Sequence, residues 1–359
     1  MSERRKAPSF LPATGVLELT YKCNHSCLFC SCPWENSRGD FAKENELTLD
    51  EWKAVITRFC SMGITNIALS GGEPLCRPDL EEIIAHAASC TAEHIEAREG
   101  LLQSEFGPPK IYLLSNGRNV TEKTLNMCIR YGVQLSMSLP GLETFEKHTG
   151  FDGADNVLKM FSLAKAKGMK TVANITVSKL NLSEFENTLS AALLAGAQQV
   201  LLNRFLPGGR GLSYEKELSL SVNELTGMLD TAERILETAG RFGSLGTEVP
   251  LCCVDPLKYK RLSVGTKCSA AIQFFVVGPS GLIRVCNHSP VNLCHVNDLD
   301  TLKMHPYWVK FTQKQYLPKE CGGCRRISEC DGGCREAAHI TGGSPDSPDM
   351  LFEAGKILC

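Results

Sequence analysis

Three cysteines, Cys23, Cys27 and Cys30, stand at C-x3-C-x2-C spacing in the run Cys23-Asn24-His25-Ser26-Cys27-Leu28-Phe29-Cys30. Iron–sulfur clusters are held by cysteine thiolates, and a cubane normally takes four of them. Three thiols within one short loop can hold three corners. The remaining iron is then free to bind a substrate or cofactor. With 18 cysteines in 359 residues, about 0.04 such triplets are expected by chance. A zinc site completed by His25 is the competing arrangement. His25 lies inside the loop, too close in sequence to complete a tetrahedron easily.

A second cysteine region follows. Ten of the 18 cysteines fall between Cys252 and Cys359, and seven of them are patterned. Cys268, Gly281 and Cys286 form C-x12-G-x4-C; Cys321, Cys324, Cys330 and Cys334 form C-x2-C-x5-C-x3-C; Cys359 ends the sequence. About 0.002 four-cysteine runs of this kind are expected by chance. The residues 274–277 and 282–285 around Pro279-Ser280-Gly281 read as a β-hairpin that brings Cys268 and Cys286 to one end. Structural zinc ribbons would use the same C-x2-C spacing but contribute no electrons, and the upstream loop favours iron–sulfur chemistry. Cys32, Cys60, Cys76, Cys90 and Cys128 lack partner spacing and read as small buried hydrophobes.

Elements that position these residues can be read from periodicity. Val16, Glu18 and Thr20 alternate with Leu17, Leu19 and Tyr21, a strand leading into the first cysteine loop. Thr48 and Glu51 form a capping box for a helix with Leu49, Trp52, Val55, Ile56 and Phe59 on one face. Strands follow at 66–70, 110–114, 133–138, 170–177 and 199–205. They alternate with helices at 79–91, 121–131, 154–167 and 184–195. Six strands alternating with helices predict a parallel sheet covered by helices, curled by right-handed crossovers into a barrel or part-barrel. Residues 91–109 exceed a simple connection and read as a surface helix, with a substrate-side lid as the alternative.

Ligand sites in such sheets lie at the carboxyl ends of the strands. Polar residues recur there: Glu73, Asn116, Ser138, Asn174 and Arg204. Gly71-Gly72-Glu73-Pro74 closes the second strand, where glycines allow close backbone approach and the glutamate offers an acceptor to an ammonium group. Arg210, in a glycine-rich loop after the sixth strand, suits a carboxylate.

Together the two cysteine signatures and the GGEP strand end resemble the radical S-adenosylmethionine (SAM) superfamily, in particular its peptide and protein maturases with a carboxyl-terminal SPASM extension. The resemblance covers residues 15–359. It implies a partial (β/α)6 TIM-type barrel over residues 1–240 and a small cysteine-rich SPASM domain with a β-hairpin over 241–359. It further implies a [4Fe-4S] cluster on Cys23, Cys27 and Cys30 whose open iron chelates SAM, giving a 5′-deoxyadenosyl radical. Gly71, Gly72, Glu73 and Pro74 would meet the SAM amino group. Ser138 would meet its ribose and Asn174 its ribose or carboxylate, with Asn116, Arg204 and Arg210 on the same rim. Two auxiliary [4Fe-4S] clusters are implied: one on Cys321, Cys324, Cys330 and Cys359, the other on Cys268, Cys286 and Cys334. The fourth ligand of the latter is open among Cys252, Cys253, Cys294 and a substrate thiolate. A sulfatase-type maturase would carry an aspartate base directly after the hairpin's second cysteine, where this chain has Asn287.

The resemblance thus points to a peptide substrate, with a thioether or carbon–carbon cross-link as product, and to an external electron donor of flavodoxin or ferredoxin type. The alternatives are a small-molecule radical SAM enzyme of haem or quinone-cofactor pathways, and a non-enzymatic iron–sulfur or zinc scaffold. A net charge of -2 gives no basic field for nucleic acid. No apolar run reaches the ~20 residues of a membrane span. Clustered C-x2-C and C-x3-C spacings in a long chain favour metal sites in a reducing cytoplasm over disulfides. The roughly fifteen residues before the first strand are too few for a leader-peptide-binding module of ordinary domain size.

Overall fold

Thr48, Thr121 and Ser221 each precede an amphipathic run, and each closes a capping box with the residue three positions on. At the first, Glu51 accepts the Thr48 N–H at 2.8 Å while the Thr48 hydroxyl accepts the Glu51 N–H at 3.3 Å. Two otherwise orphaned donors are satisfied reciprocally, which sets the start of the helix. The computed structural model describes residues 10–36, 41, 43–98 and 101–352. Its helices are α1 (Leu49–Ser61), α2 (Leu80–Ser89), α3 (Glu122–Tyr131), the short α4 (Phe145–Thr149), α5 (Ala154–Ala166), α6 (Phe185–Ala195), the single turn α7 (Glu215–Leu218) and α8 (Val222–Ala239), followed by α9 (Leu299–Leu302), α10 (Pro306–Thr312) and α11 (Arg335–Gly342).

The strands are β1 (Thr14–Glu18), β2 (Asn66–Ser70), β3 (Ala92–Arg98), β4 (Leu101–Gly107), β5 (Lys110–Ser115), β6 (Gln134–Ser138), β7 (Thr171–Val177), β8 (Gln199–Arg204), β9 (Phe242–Leu245), β10 (Leu262–Val264), β11 (Phe274–Val277) and β12 (Ile283–Arg284). The expected six, β1, β2, β5, β6, β7 and β8, lie side by side and parallel, forming the partial TIM-type barrel. The sheet continues beyond them. β9 and β10 add in parallel after β8, while β11 pairs in parallel with β1 and turns back into β12. The carboxyl-terminal hairpin is thereby a direct extension of the barrel sheet.

One expectation is corrected here. Residues 91–109 form an antiparallel hairpin, β3 with β4, not a surface helix. Pairing runs from Ala92 opposite Gly107 to Arg98 opposite Leu101, so cross-strand neighbours rather than a helical face organise this segment.

Alternation in the strands sorts the side chains. Leu17, Leu69, Leu113, Leu135 and Ala173 point to the helices and pack with Trp52, Ile56, Phe59 and Phe161 in one core. Val16, Ala68 and Val276 form the opposite, inner layer. Phe59 of α1 meets Phe275 of β11 edge-on, with ring centroids 5.3 Å apart, so the hairpin shares the barrel's core. Truncating Phe59 to Ala would cost about 3–5 kcal/mol and loosen both at once.

Candidate active site and cluster ligands

The first cysteine loop leaves β1 and is gripped from two sides. From α4, the carbonyls of Thr149 and His148 accept the N–H groups of Ser26 at 2.9 Å and Leu28 at 2.8 Å. From the loop after β8, Gly211 donates to the Cys30 carbonyl at 3.0 Å and Arg210 Nη1 to the Cys27 carbonyl at 3.3 Å. Gly209, at φ +47°, lies so close that an added Cβ would stand 2.3 Å from the Cys32 carbonyl oxygen. Only glycine allows that approach. Arg210 also pairs with Glu35, which Lys43 approaches at 2.9 Å.

So held, Cys23, Cys27 and Cys30 line one open cavity of about 460 Å³ with His25, Gly72, Glu35 and Arg210. Cys32, read from sequence as a buried hydrophobe, lines it too, and its thiol donates to the Gly71 carbonyl at 3.8 Å. Burial pushes the Cys23 thiol up to about 11 and raises Cys27 as well, where nearby Cys30 and Cys23 add to the effect. A bound cation would reverse these shifts and hold the thiols as thiolates. Donors already face the set: the His25 N–H lies 3.4 Å and Asn116 Nδ2 3.8 Å from Cys23 Sγ. Both ring nitrogens of His25 are buried without a hydrogen-bond partner, as in a wall built against a polar guest. These features fit an iron–sulfur cluster.

At the end of β2 the geometry revises the reading of Glu73. Gly72, not Glu73, lines the cavity. Glu73 is 1 % exposed. Its Oε1 accepts from Leu75 N–H at 3.1 Å and Ser115 Oγ at 2.9 Å, and its Oε2 from Asn116 N–H at 2.7 Å. The carboxylate ties the ends of β2 and β5 together, and burial raises its pKa to about 7 against those hydrogen bonds. Pro74 starts the following turn and is buried. Gly72 is confined by the segment that follows β1: its N–H donates to the Thr20 carbonyl at 2.8 Å, and a Cβ there would lie 2.3 Å from the Lys22 carbonyl oxygen.

Farther along the rim, Asn116 Nδ2 donates to Asn24 Oδ1 at 2.7 Å. Ser138 and Asn174 are partners in register. Asn174 Oδ1 accepts from Asn203 Nδ2 at 2.8 Å, a residue absent from the sequence reading. Arg204 departs from expectation. It is in register with Val177, on the buried face, and 2 % exposed. Its Nη2 donates to Asp349 at 2.6 Å and to the Glu248 carbonyl at 3.1 Å. Strand alternation gives the inner face to Asn203 and turns Arg204 away from Ser138 and Asn174.

The carboxyl-terminal cysteines fall into two groups. Cys268, Cys286 and Cys334 are buried. Burial raises all three thiols, and Cys334 adds to the shift at both Cys268 and Cys286. The His288 N–H lies 3.2 Å from Cys286 Sγ. Cys321, Cys324 and Cys330 line a second, small cavity of about 30 Å³. Cys359 lies outside the described residues. The fourth-ligand candidates are dispersed: Cys252 lines the second cavity, Cys253 Sγ donates to the Leu351 carbonyl at 3.4 Å, and Cys294 neighbours Thr301. Among the described residues no three His, Cys, Asp or Glu side chains converge tightly enough to share a single ion. A cubane spreads its corner thiolates wider than the ~4 Å edge of a zinc tetrahedron.

No helix among the described residues is long and apolar enough to cross a membrane. Residues 17–192 match the family model described as the radical SAM superfamily. The PqqA peptide cyclase of Granulibacter bethesdensis is 26 % identical over 94 % of this chain and 86 % of its own length. That of Xanthomonas euvesicatoria is 24 % identical over 96 % and 89 %. Among solved structures, Streptococcus suis SuiB bound to S-adenosylmethionine superposes with a TM-score of 0.68 at 13 % identity, covering 97 % of this chain and 78 % of SuiB. Native anSMEcpe with bound AdoMet gives 0.68 at 16 % identity, covering 96 % and 93 %. These two likenesses speak to the fold. With the family match over residues 17–192 and the cavity built from its cysteine loop, the chain is an enzyme that carries a radical SAM domain, which works with S-adenosylmethionine and the [4Fe-4S] cluster that binds it.

Proposed function

We propose that this enzyme cross-links a ribosomally made peptide, through a thioether or carbon–carbon bond, using two auxiliary iron–sulfur clusters. The observation that carries the reading is the pair of carboxyl-terminal cysteine groups joined to the barrel sheet through β11 and β12, in a chain that aligns over nearly its whole length with peptide cyclases. Residues 1–240 would form the radical-generating unit and 241–359 the SPASM unit.

Cys23, Cys27 and Cys30 would hold the first cluster, which when bound supplies the electron that cleaves SAM. Gly71 and Gly72 would present backbone to the SAM amino group, with Glu73 and Pro74 fixing that backbone. Ser138 and Asn174, with Asn203 orienting the latter, would receive the ribose or carboxylate. Arg210 would hold the cysteine loop in place through the Cys27 carbonyl. Asn116 would donate toward Cys23. The reducing electron would come from a flavodoxin- or ferredoxin-type protein.

A single cross-link removes two hydrogens from the peptide. One leaves as a hydrogen atom to the 5′-deoxyadenosyl group; the other leaves as a proton and an electron, which needs an acceptor. Cys268, Cys286 and Cys334, with Cys321, Cys324 and Cys330, would hold that acceptor. Asn287 does not serve as the proton acceptor: an amide has no basic site at neutral pH, and its Nδ2 donates to Glu18 at 3.2 Å.

The test is an anaerobic reaction with SAM, a reductant and any short peptide encoded beside the gene. The expected products are 5′-deoxyadenosine and a peptide lighter by two hydrogens, with the ring located by tandem mass spectrometry. 5′-Deoxyadenosine with an unaltered peptide, alongside conversion of a small molecule, would overturn the reading.

A further inference from the structure

We infer that Arg204 is a positioning residue for electron transfer: its buried guanidinium faces the cluster held by Cys268, Cys286 and Cys334 and raises the potential at which that cluster is reduced. The inference rests on the proposed auxiliary clusters and deepens that reading. Cross-linking releases one electron from the peptide for each one consumed in cleaving SAM. That electron would pass to this group and on to the oxidised form of the external carrier. Charge and hydrogen bonds at the sulfurs set the potentials of iron–sulfur clusters, so a cation held there favours the uptake.

The end of β8 brings Arg204 to the cysteine group. Leu206, two residues on, packs with Cys334 and with Ala337 of α11. Arg204 Nη2 and the Cys334 N–H share one acceptor, Asp349 Oδ2, at 2.6 Å and 2.8 Å. Asp349 is itself fixed: its Oδ1 accepts the Leu351 N–H at 2.9 Å, and a Cβ added to Gly333 would stand 2.4 Å from its Oδ2. A single carboxylate oxygen thus links the guanidinium to Cys334. The remaining guanidinium nitrogens, Nε and Nη1, are buried and have no hydrogen-bond partner among the described residues. Buried donors in folded proteins find acceptors, and a guanidinium presents its N–H groups as a fixed planar fork. Sulfurs of a cluster at Cys334 would supply the acceptors this fork lacks. A second side chain points to the same place. The His288 N–H lies 3.2 Å from Cys286 Sγ, and His288 Nδ1 is buried without a partner as well. Burial and the Glu248 carboxylate raise the Cys334 thiol, and the Arg204 charge acts against that rise. Cys268 offers a comparison within the molecule. Its N–H donates to Asp331 Oδ2 at 2.8 Å, and Lys314 pairs with the same oxygen at 2.6 Å. The Lys314 side chain is 36 % exposed, where water weakens its field, whereas that of Arg204 is 2 % exposed.

The experiment uses the full chain, reconstituted anaerobically and titrated with dithionite while electron paramagnetic resonance follows the reduced clusters. Cys334→Ala identifies the signal that belongs to this group by its loss. Arg204→Met should make reduction of that cluster at least about tenfold less favourable, a fall of about 59 mV for one electron. Asp349→Asn keeps an acceptor for the Cys334 N–H, removes the negative charge, and should move the midpoint upward. Lys314→Met should stay within about twofold of wild type, because solvent and salt screen an exposed charge. A merely structural pair would not move the midpoint in opposite directions from its two ends. Shifts of one sign in Arg204→Met and Asp349→Asn, no shift in either, or an equal shift in Lys314→Met would overturn the inference and leave the auxiliary clusters standing. If Arg204→Met fails to retain iron, the Asp349→Asn midpoint decides alone, and a downward or absent shift there overturns the assignment. A spectrum unchanged in Cys334→Ala would overturn the auxiliary cluster at this group and the inference with it.

Discussion

Replacing Glu18 with Gln tests the join between the barrel and the carboxyl-terminal region. Glu18, at the end of β1, is 2 % exposed and pairs with Arg284 of β12, which is fully buried. Arg284 Nη1 also donates to the carbonyls of Asn287 and Ser289, each at 3.1 Å, and its guanidinium lies 5.7 Å from the Trp34 ring. No other carboxylate pairs with Arg284 among the described residues. Glu18→Gln therefore leaves a buried cation without its counter-charge, a change that costs about 3–5 kcal/mol. Removing the cation as well, in Glu18→Gln with Arg284→Met, should recover part of this loss and give a coupling of about 2 kcal/mol. Anaerobic urea unfolding followed by far-ultraviolet circular dichroism measures both. A single-variant cost below about 1 kcal/mol, or costs that add to within about 0.5 kcal/mol, would refute the pair as the clasp between β1 and β12.

Gly72→Ala forces a Cβ to within 2.3 Å of the Lys22 carbonyl oxygen. Backbone must shift, and SAM affinity measured by equilibrium dialysis should fall at least about tenfold, or 1.4 kcal/mol. Changing Cys23, Cys27 and Cys30 together to Ala should abolish 5′-deoxyadenosine formation while leaving about eight irons on the carboxyl-terminal cysteines. Cys286→Ala should still cleave SAM yet release unmodified peptide; wild-type product formation would make that cysteine group purely structural. His148 is fully buried, lies 3.0 Å from Ser178 Oγ, and burial lowers its pKa to about 4 from 6.5. Between these values the unfolded chain binds a proton that the folded chain does not, so stability falls as pH drops from 6.5 toward 4. The contribution is about 3 kcal/mol, and His148→Gln should flatten the dependence of urea stability on pH by nearly one proton.

Much of the molecule was legible in its sequence because the signals are local. Cys23, Cys27 and Cys30 announce a cluster loop through spacing alone. The Thr48 capping box and the period-two alternation of residues 171–177 fix elements by interactions within a few residues. The parallel order of six strands follows from strands and helices alternating along the chain. The β3–β4 hairpin is not legible in the same way, because its pairing joins residues as far apart as Ala92 and Gly107.

Tertiary structure alone decided what depends on partners distant in sequence. Strand alternation and the register of β8 on β7 turned Arg204 to Asp349 and left Asn203 facing Asn174. Close packing at the ends of β2 and β5 made Glu73 a clamp between strands, because its buried oxygens need donors and find three there. Pairing of β11 with β1 joined the carboxyl-terminal hairpin to the barrel sheet. Cys252 comes to line one cavity with Cys321, Cys324 and Cys330 only through the folding of the chain between them. Spacing reports residues that share a loop, whereas a residue brought in from another segment is placed by packing and leaves no local mark.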